Sequence, residues 1–215
     1  MKALHVFDMD GTLLCGSTAA MEVARRTGHS EALRALEARF EAREIDTETF
    51  MESIYVMWQG LTPAMVAEAF AASPWLLGIR EVCSDIRAHG GWSTVITLSP
   101  DFFAMRLLGL GFDHVIASRF SSLPFNGRVE SVEILKPSDK VRVVDELRKR
   151  YGVAKARCVA YGDSLSDEPL FRHLSATVAV NPTAELARIG RACYVGNNLN
   201  DAYAIARSLL IADPR

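Results

Sequence analysis

The 215-residue chain is short of the features that mark several protein classes. Its four cysteines, Cys15, Cys83, Cys158 and Cys193, are scattered and form no C-x-x-C pair. That argues against a zinc site or a disulfide framework, and reduced thiols in apolar or motif-adjacent settings are the simplest reading. Neither sign of charge dominates: the net charge is -2 with 23% charged residues, which gives no electrostatic case for nucleic acid or an anionic membrane. No apolar run approaches the roughly 18 residues that would span a bilayer. No basic n-region and apolar h-region precede Val6, so a soluble, cytoplasmic protein is expected. None of the glycines leads into G-K-[ST], which disfavours a P-loop kinase. Gly109-Leu110-Gly111 reads as a helix ending rather than a dinucleotide loop, and no internal repeat or low-complexity tract is present.

The length suits one sizeable domain, or one domain carrying an insertion, and a hydrophobic content of 49% is that of an ordinary globular protein. Residues 3–7 (ALHVF) form a short apolar run that stops at polar, glycine-containing sequence, which predicts a buried strand. From about Ser17 the apolar spacing turns helical, over 17–27, 30–43, 47–58 and 62–72, with Asp46 and Thr62 placed as N-caps. Then follow a helix over 78–89, a strand over 93–99 (STVITLS), a helix from Asp101 to about Leu108 and a strand near 114–117. Asn126-Gly127 predicts a surface hairpin or flap within 119–134. Beyond it, helices over 138–150, 166–174, 183–190 and 200–211 alternate with strands over 156–162, 176–180 and 192–195. Continuously apolar strands alternating with helices indicate an α/β core, a doubly wound and mostly parallel sheet covered on both faces. The core is expected over 1–14 and 76–215, with an α-helical cap inserted over 15–75.

The sequence VFDMDGTLL (6–14) places Asp8 and Asp10 one residue apart where the first strand runs out. Ligands of open parallel sheets bind beyond the carboxyl ends of the strands. The strands at 93–99 and 156–162 end in Ser99 and in Gly162-Asp163, so these groups should share one rim with the first two aspartates. Lys140, near the start of the helix that precedes the latter strand, can reach the same rim, and its spacing favours it over Lys136, which precedes Pro137. Hard oxygen ligands of this kind suit Mg²⁺, and a magnesium ion beside a lysine suits a phosphoryl group. In such a site one carboxylate can attack phosphorus, while a second protonates the departing alkoxide and then activates water. A calcium loop does not fit: an EF-hand begun at Asp8 would put Leu13 at the glycine position and Ala19 at the glutamate position. His5 has no histidine partner for a metal pair and is expected to be a satisfied strand residue.

DMDGTLL (8–14), the hydrophobic strand ending in Ser99, Lys140, and YGDSLSDEPLF (161–171) resemble, in that order, the four motifs of haloacid dehalogenase superfamily phosphatases. The helical insertion after the first motif resembles the four-helix cap of the phosphoserine phosphatase-like branch (subfamily IB), and Asn181-Pro182 fits that branch. The resemblance implies Asp8 as nucleophile, Asp10 as acid/base, and Ser99 and Lys140 as phosphate ligands. It further implies that Gly11 and Thr12 form the turn presenting amides to phosphate. Magnesium would be held by Asp8, the Asp10 carbonyl and Asp163, with Asp167 orienting Lys140 or the metal's waters.

In phosphoserine phosphatases an acidic residue near the start of the cap and a cap arginine hold the amino-acid end of the substrate. Here the first position falls at about Ser17, and ETFMESIYVMW (48–58) contains no arginine. Glu22, Arg43, Glu44 and Glu52 are the available substitutes. The leading expectation is therefore a phosphomonoesterase for a small alcohol or sugar phosphate. Phosphoserine phosphatase and a phosphotransferase of the same fold are the alternatives. A phospho-accepting module or a silent ligand-binding relative ranks below them, since in a receiver-type module the lysine would come last in the chain. The pattern carries no reading of oligomeric state.

Overall fold

The computed structural model describes residues 2–125 and 133–212. Six strands form one parallel sheet in the order β5-β4-β1-β6-β7-β8: β1 (Leu4–Phe7), β4 (Trp92–Pro100), β5 (His114–Ser118), β6 (Cys158–Gly162), β7 (Ala176–Val180) and β8 (Ala192–Tyr194). Two further two-residue strands, β2 (Asp10–Gly11) and β3 (Leu14–Cys15), pair with each other just after β1. β1 lies between β4 and β6, with Phe7 in register with Val95 on one side and Tyr161 on the other. The chain builds outward from β1 to β4 and β5, then crosses back to β6, β7 and β8. The end of β1 therefore sits at the switch point where such sheets bind ligands.

All four residues of β1 are buried because the sheet is covered on both faces. Leu4 and Val6 join a cluster with Val143, Val144 and Leu147 of α7 (Pro137–Tyr151) and with Leu170 and Phe171 of α8 (Glu168–His173). Phe7, on the opposite face by the alternation of a strand, joins Val82 and Ile86 of α5 (Ile79–Ala88) and Ala202 and Ala206 of α10 (Leu199–Ala212). The same cluster continues into four helices inserted between β1 and β4: α1 (Ala19–Thr27), α2 (Ser30–Glu41), α3 (Thr47–Met57) and α4 (Pro63–Ala72). Two of them start at the expected caps: Asp46 accepts the Thr49 N–H at 2.8 Å and Thr62 accepts the Met65 N–H at 3.2 Å.

Several expectations need correction. The helix from Asp101 is a single turn, α6 (Asp101–Ala104), which tightens into a 3₁₀ helix over Met105–Leu110, where Gly109 interrupts the helical spacing. Residues 155–157 form a 3₁₀ turn before β6, and 165–167 another before α8, so β6 and α8 are shorter than their apolar patterns imply. Cys193 is exposed rather than in an apolar setting, and all four thiols are free. Asn126-Gly127 lies outside the described residues. The flank that leads to it is not a surface feature throughout, because Phe125 is buried and its ring lies 4.8 Å from that of Tyr55 in α3.

Candidate active site

β1 delivers Asp8 to the rim directly: its backbone N–H still pairs with the Tyr161 carbonyl at 2.9 Å, while its side chain passes beyond the last strand pair. Lys140 projects from the first turns of α7 into the same place. Its Nζ is 2.6 Å from Asp8 Oδ1 and 2.6 Å from Asp167 Oδ1, and the side chain is 1% exposed. Burial opposes the ammonium charge, but the two carboxylates outweigh burial and raise the lysine pKa, so the cation persists. Lys136 is exposed at the head of α7, and Asp139 caps the helix by accepting its N–H at 2.8 Å.

Asp163 follows β6, and Thr12 Oγ1 donates to Asp163 Oδ1 at 3.4 Å. The Asp163 N–H in turn donates to Asp167 Oδ2 at 3.1 Å. Two glycines make room for this. Gly11 has a φ of +75°, and a Cβ there would collide with the Asp163 carboxylate; a Cβ at Gly162 would collide with that of Asp167. Oxygens of Asp8, Asp163 and Asp167 lie within 4.8 Å of one another, three hard donors spaced to share one divalent cation. Burial pushes the Asp8 carboxyl up against the pull of Lys140. Asp163 rises to about 7, through burial first and the neighbouring Asp167 second.

Asp10 is placed differently. Its Oδ1 accepts the Ala19 N–H at 2.8 Å and its Oδ2 accepts the Ser99 hydroxyl, so its carboxylate is held between the start of α1 and the end of β4. Its carboxylate is not among the three that lie close enough together to share one cation. Burial raises its pKa, while the hydrogen bonds from Ser99 and Ala19 and the charge of Lys140 act against that rise. Of the two amides expected to face phosphate, that of Gly11 is already donated to the Ser17 carbonyl at 3.0 Å. Thr12 is fully buried.

Among the four cap residues named above as substitutes, only Glu22 is buried, at 5%; Arg43, Glu44 and Glu52 are exposed. Glu22 Oε1 accepts from the Ser17 hydroxyl and from Arg25, which also donates to Ser17 Oγ at 3.2 Å. Glu22 lies one helical turn beyond Ala19, on the face of α1 that begins at Asp10. The spacing of Ala19, Glu22 and Val23 in the sequence carried that signal.

Residues 5–172 match the family model described as haloacid dehalogenase-like hydrolase. The chain belongs to this family. A phosphoserine phosphatase of Archaeoglobus fulgidus is 25% identical over 84% of the chain, which spans about half of that relative (53%). One from Idiomarina loihiensis is 22% identical over 99% of the chain and 97% of its own length. Among solved structures, a substrate-bound phosphoserine phosphatase complex superposes with a TM-score of 0.77 at 21% identity, over 94% of this chain and 96% of that one. A haloacid dehalogenase family hydrolase from Salmonella enterica serovar Typhi gives 0.81 at 20% identity, over 100% and 73%. The resemblance to the phosphoserine phosphatase-like branch and the α/β fold with its mostly parallel sheet are thereby borne out.

Proposed function

We propose that the chain hydrolyses small-molecule phosphomonoesters, with alcohol or sugar phosphates as the leading substrate class. The observation that carries the reading is the buried Lys140 ammonium bridging Asp8 and Asp167, with Asp163 in reach. This is an oxygen-rich acidic cluster around one buried ammonium at a sheet switch point, suited, once a divalent cation joins it, to neutralising a phosphoryl group. Asp8 attacks phosphorus, and the bond to the alcohol oxygen breaks as Asp10 gives that oxygen its proton. Asp10 then takes a proton from the water that attacks the aspartyl-phosphate, releasing inorganic phosphate and restoring Asp8. Lys140 balances charge on the phosphate, and Ser99, by turning its hydroxyl from Asp10, hydrogen-bonds one of the phosphate oxygens. Asp8 and Asp163, with the Asp10 carbonyl, are the residues that would hold Mg²⁺, and Asp167 would orient the surrounding donors. The ion supplies charge neutralisation at the phosphate. Residues 15–75 act as the cap that selects the leaving group, and the protein works in the cytoplasm; no helix among the described residues is long and apolar enough to cross a membrane.

A second reading is phosphoserine as substrate, which the likeness to phosphoserine phosphatases and the buried carboxylate of Glu22 favour. Phosphate release across a panel of metabolite phosphates with magnesium, with Asp8→Asn as the blank, tests both. A sugar or alcohol phosphate should lead. Phosphoserine leading by orders of magnitude would replace the first reading with the second, and release undiminished in Asp8→Asn would overturn the nucleophile.

A further inference from the structure

The two edges of the sheet differ: one is β8, three residues long, and the other is β5, five residues long. An edge strand offers unpaired backbone donors and acceptors, and proteins guard such edges by keeping them short or by placing proline or charge on them. β8 is guarded by its length. β5 reads HVIAS and carries no proline, lysine, arginine or carboxylate. Its first four residues are half-buried, whereas every residue of β1, β6 and β7 is buried, and among the described residues no strand pairs with its outer side. Along a parallel strand alternate residues turn their N–H and C=O to the outer side, so this edge presents an open ladder about 13 Å long.

A groove of about 280 Å³ lies between β5 and the flank of α7. Its floor is apolar, built from Ile116 and Ala117 of β5, from Leu135, and from Val143 and Leu147 of α7. Its walls carry both signs of charge, with one of each toward either end. Arg119, one residue past β5, donates its backbone N–H to the Glu133 carbonyl at 3.0 Å, which fixes this pair at the carboxyl end of the strand. α7 runs the opposite way: its first turns bring Lys140 to the carboxyl rim, and its last residue, Tyr151, hydrogen-bonds His114, the first residue of β5. Glu146 and Arg150 therefore lie toward the amino end. Arg142 is held by Glu146 at 3.0 Å and Asp139 at 3.4 Å, while the side chains of Arg119, Glu133 and Arg150 have no ion pair among the described residues.

An edge with this division of charge is complementary to itself. Turned antiparallel about a two-fold axis, the carboxyl end of one β5 meets the amino end of the other, and Glu133 comes to the partner's Arg150 twice in the pair. A peptide of a single charge sign would meet a like charge at either end of the groove. We propose that β5 and this groove are the contact between two copies of the chain, joined edge to edge through an antiparallel β5–β5 ladder into one continuous sheet. The main-chain ladder supplies the pairing, the apolar floor supplies buried area, and the Glu133–Arg150 pairs fix the register. The contact concerns assembly and is independent of the phosphatase reading.

Sedimentation velocity of the full chain between about 1 and 100 µM, beside Glu133→Arg, Arg150→Glu and the double variant, tests this. The wild type should approach twice the mass of one chain at the upper end, with a Kd of about 10 µM or tighter. Each single reversal sets like charges together in two places and should weaken the dimer by about tenfold or more, whereas the double variant should return to within about threefold of the wild-type Kd. Both positions are exposed, so all three variants should fold as the wild type does, which circular dichroism checks. Hydrogen exchange locates the contact without any substitution: the amides of 114–118 should exchange more slowly in concentrated than in dilute wild-type protein. A monomer throughout the range, a dimer whose β5 amides gain no protection, single reversals without effect, or a double variant no stronger than the singles would overturn the proposal.

Discussion

Lys140 Nζ lies 2.6 Å from Asp8 Oδ1, a buried ion pair joining residues 132 apart in the chain. The ammonium is shared with Asp167, and oxygens of Asp8, Asp163 and Asp167 lie within 4.8 Å of one another. Lys140→Met should therefore lower turnover by about 10²–10³-fold or more, the usual loss when one preorganised charge partner is removed. In metal-free protein it should also cost about 3–5 kcal/mol of stability, since buried carboxylates lose their counter-charge. Phosphate release and urea melts check the two effects separately; a variant as stable and as active as the wild type would refute the assignment.

Asp10 holds its carboxyl between the Ser99 hydroxyl and the Ala19 amide, and the proposed acid role is assigned to it there. Asp10→Asn should lose more rate with alkyl phosphates, whose alkoxides are poor leaving groups, than with activated aryl phosphates, by about tenfold or more. The dependence of kcat on leaving-group pKa measures this. A parallel loss across the series would contradict the acid role.

Three carboxylates close enough to share a cation repel one another when none is bound. Added Mg²⁺ should raise the Tm of the wild type, because an ion that binds only the folded state stabilises it by mass action. Asp163→Asn should reduce that shift and leave the fold intact, as judged by circular dichroism. An equal magnesium shift in both proteins would remove Asp163 from the metal set.

Glu22 is the buried carboxylate for which the proposed chemistry has no use. Glu22→Leu leaves the buried Ser17 hydroxyl without its acceptor and should cost about 1–3 kcal/mol. Glu22→Gln keeps the shape and separates the two substrate readings. If phosphoserine is the substrate, its kcat/KM should fall about tenfold or more in Glu22→Gln while that for phenyl phosphate changes less. If an alcohol or sugar phosphate is the substrate, no such split appears.

His5 is buried beside Tyr161, whose hydroxyl lies 2.9 Å from its Nδ1. Burial, with Arg207 adding to it, lowers its pKa from 6.5 to about 3. A histidine whose folded pKa is depressed stabilises the fold above its unfolded pKa, and that contribution is lost as pH falls toward the folded value. Between pH 6.5 and pH 4 the loss from this group is about 3 kcal/mol. His5→Leu should be less stable at pH 7, where Tyr161 loses its partner, but should show a shallower decline on acidification. Parallel stability-against-pH curves would sink the prediction.

The periodicity of short apolar runs was enough to locate β1, β4, β6 and β7, because strands buried on both faces carry uninterrupted apolar sequence. Parallel strands also put their carboxyl ends on one rim, so Asp8, Asp10, Ser99, Lys140 and Asp163 could be gathered as candidates from the sequence, and the family resemblance added Asp167. Which carboxylate faces which neighbour is a different kind of fact. That Lys140 turns to Asp8 and Asp167 while Asp10 turns to Ser99 and Ala19 depends on side-chain directions set by packing across the chain, and local pattern carries none of this. Glu22 and Glu52 have the same composition and both lie in inserted helices, but one is buried against Ser17 and the other exposed. The rings of Tyr55, Trp58, Phe102 and Phe120 likewise meet only because α3, the turn after Ser99 and the segment after β5 converge. Spacing along one element determines its period and its ends; contacts among elements far apart in sequence arise only when tertiary packing brings them together.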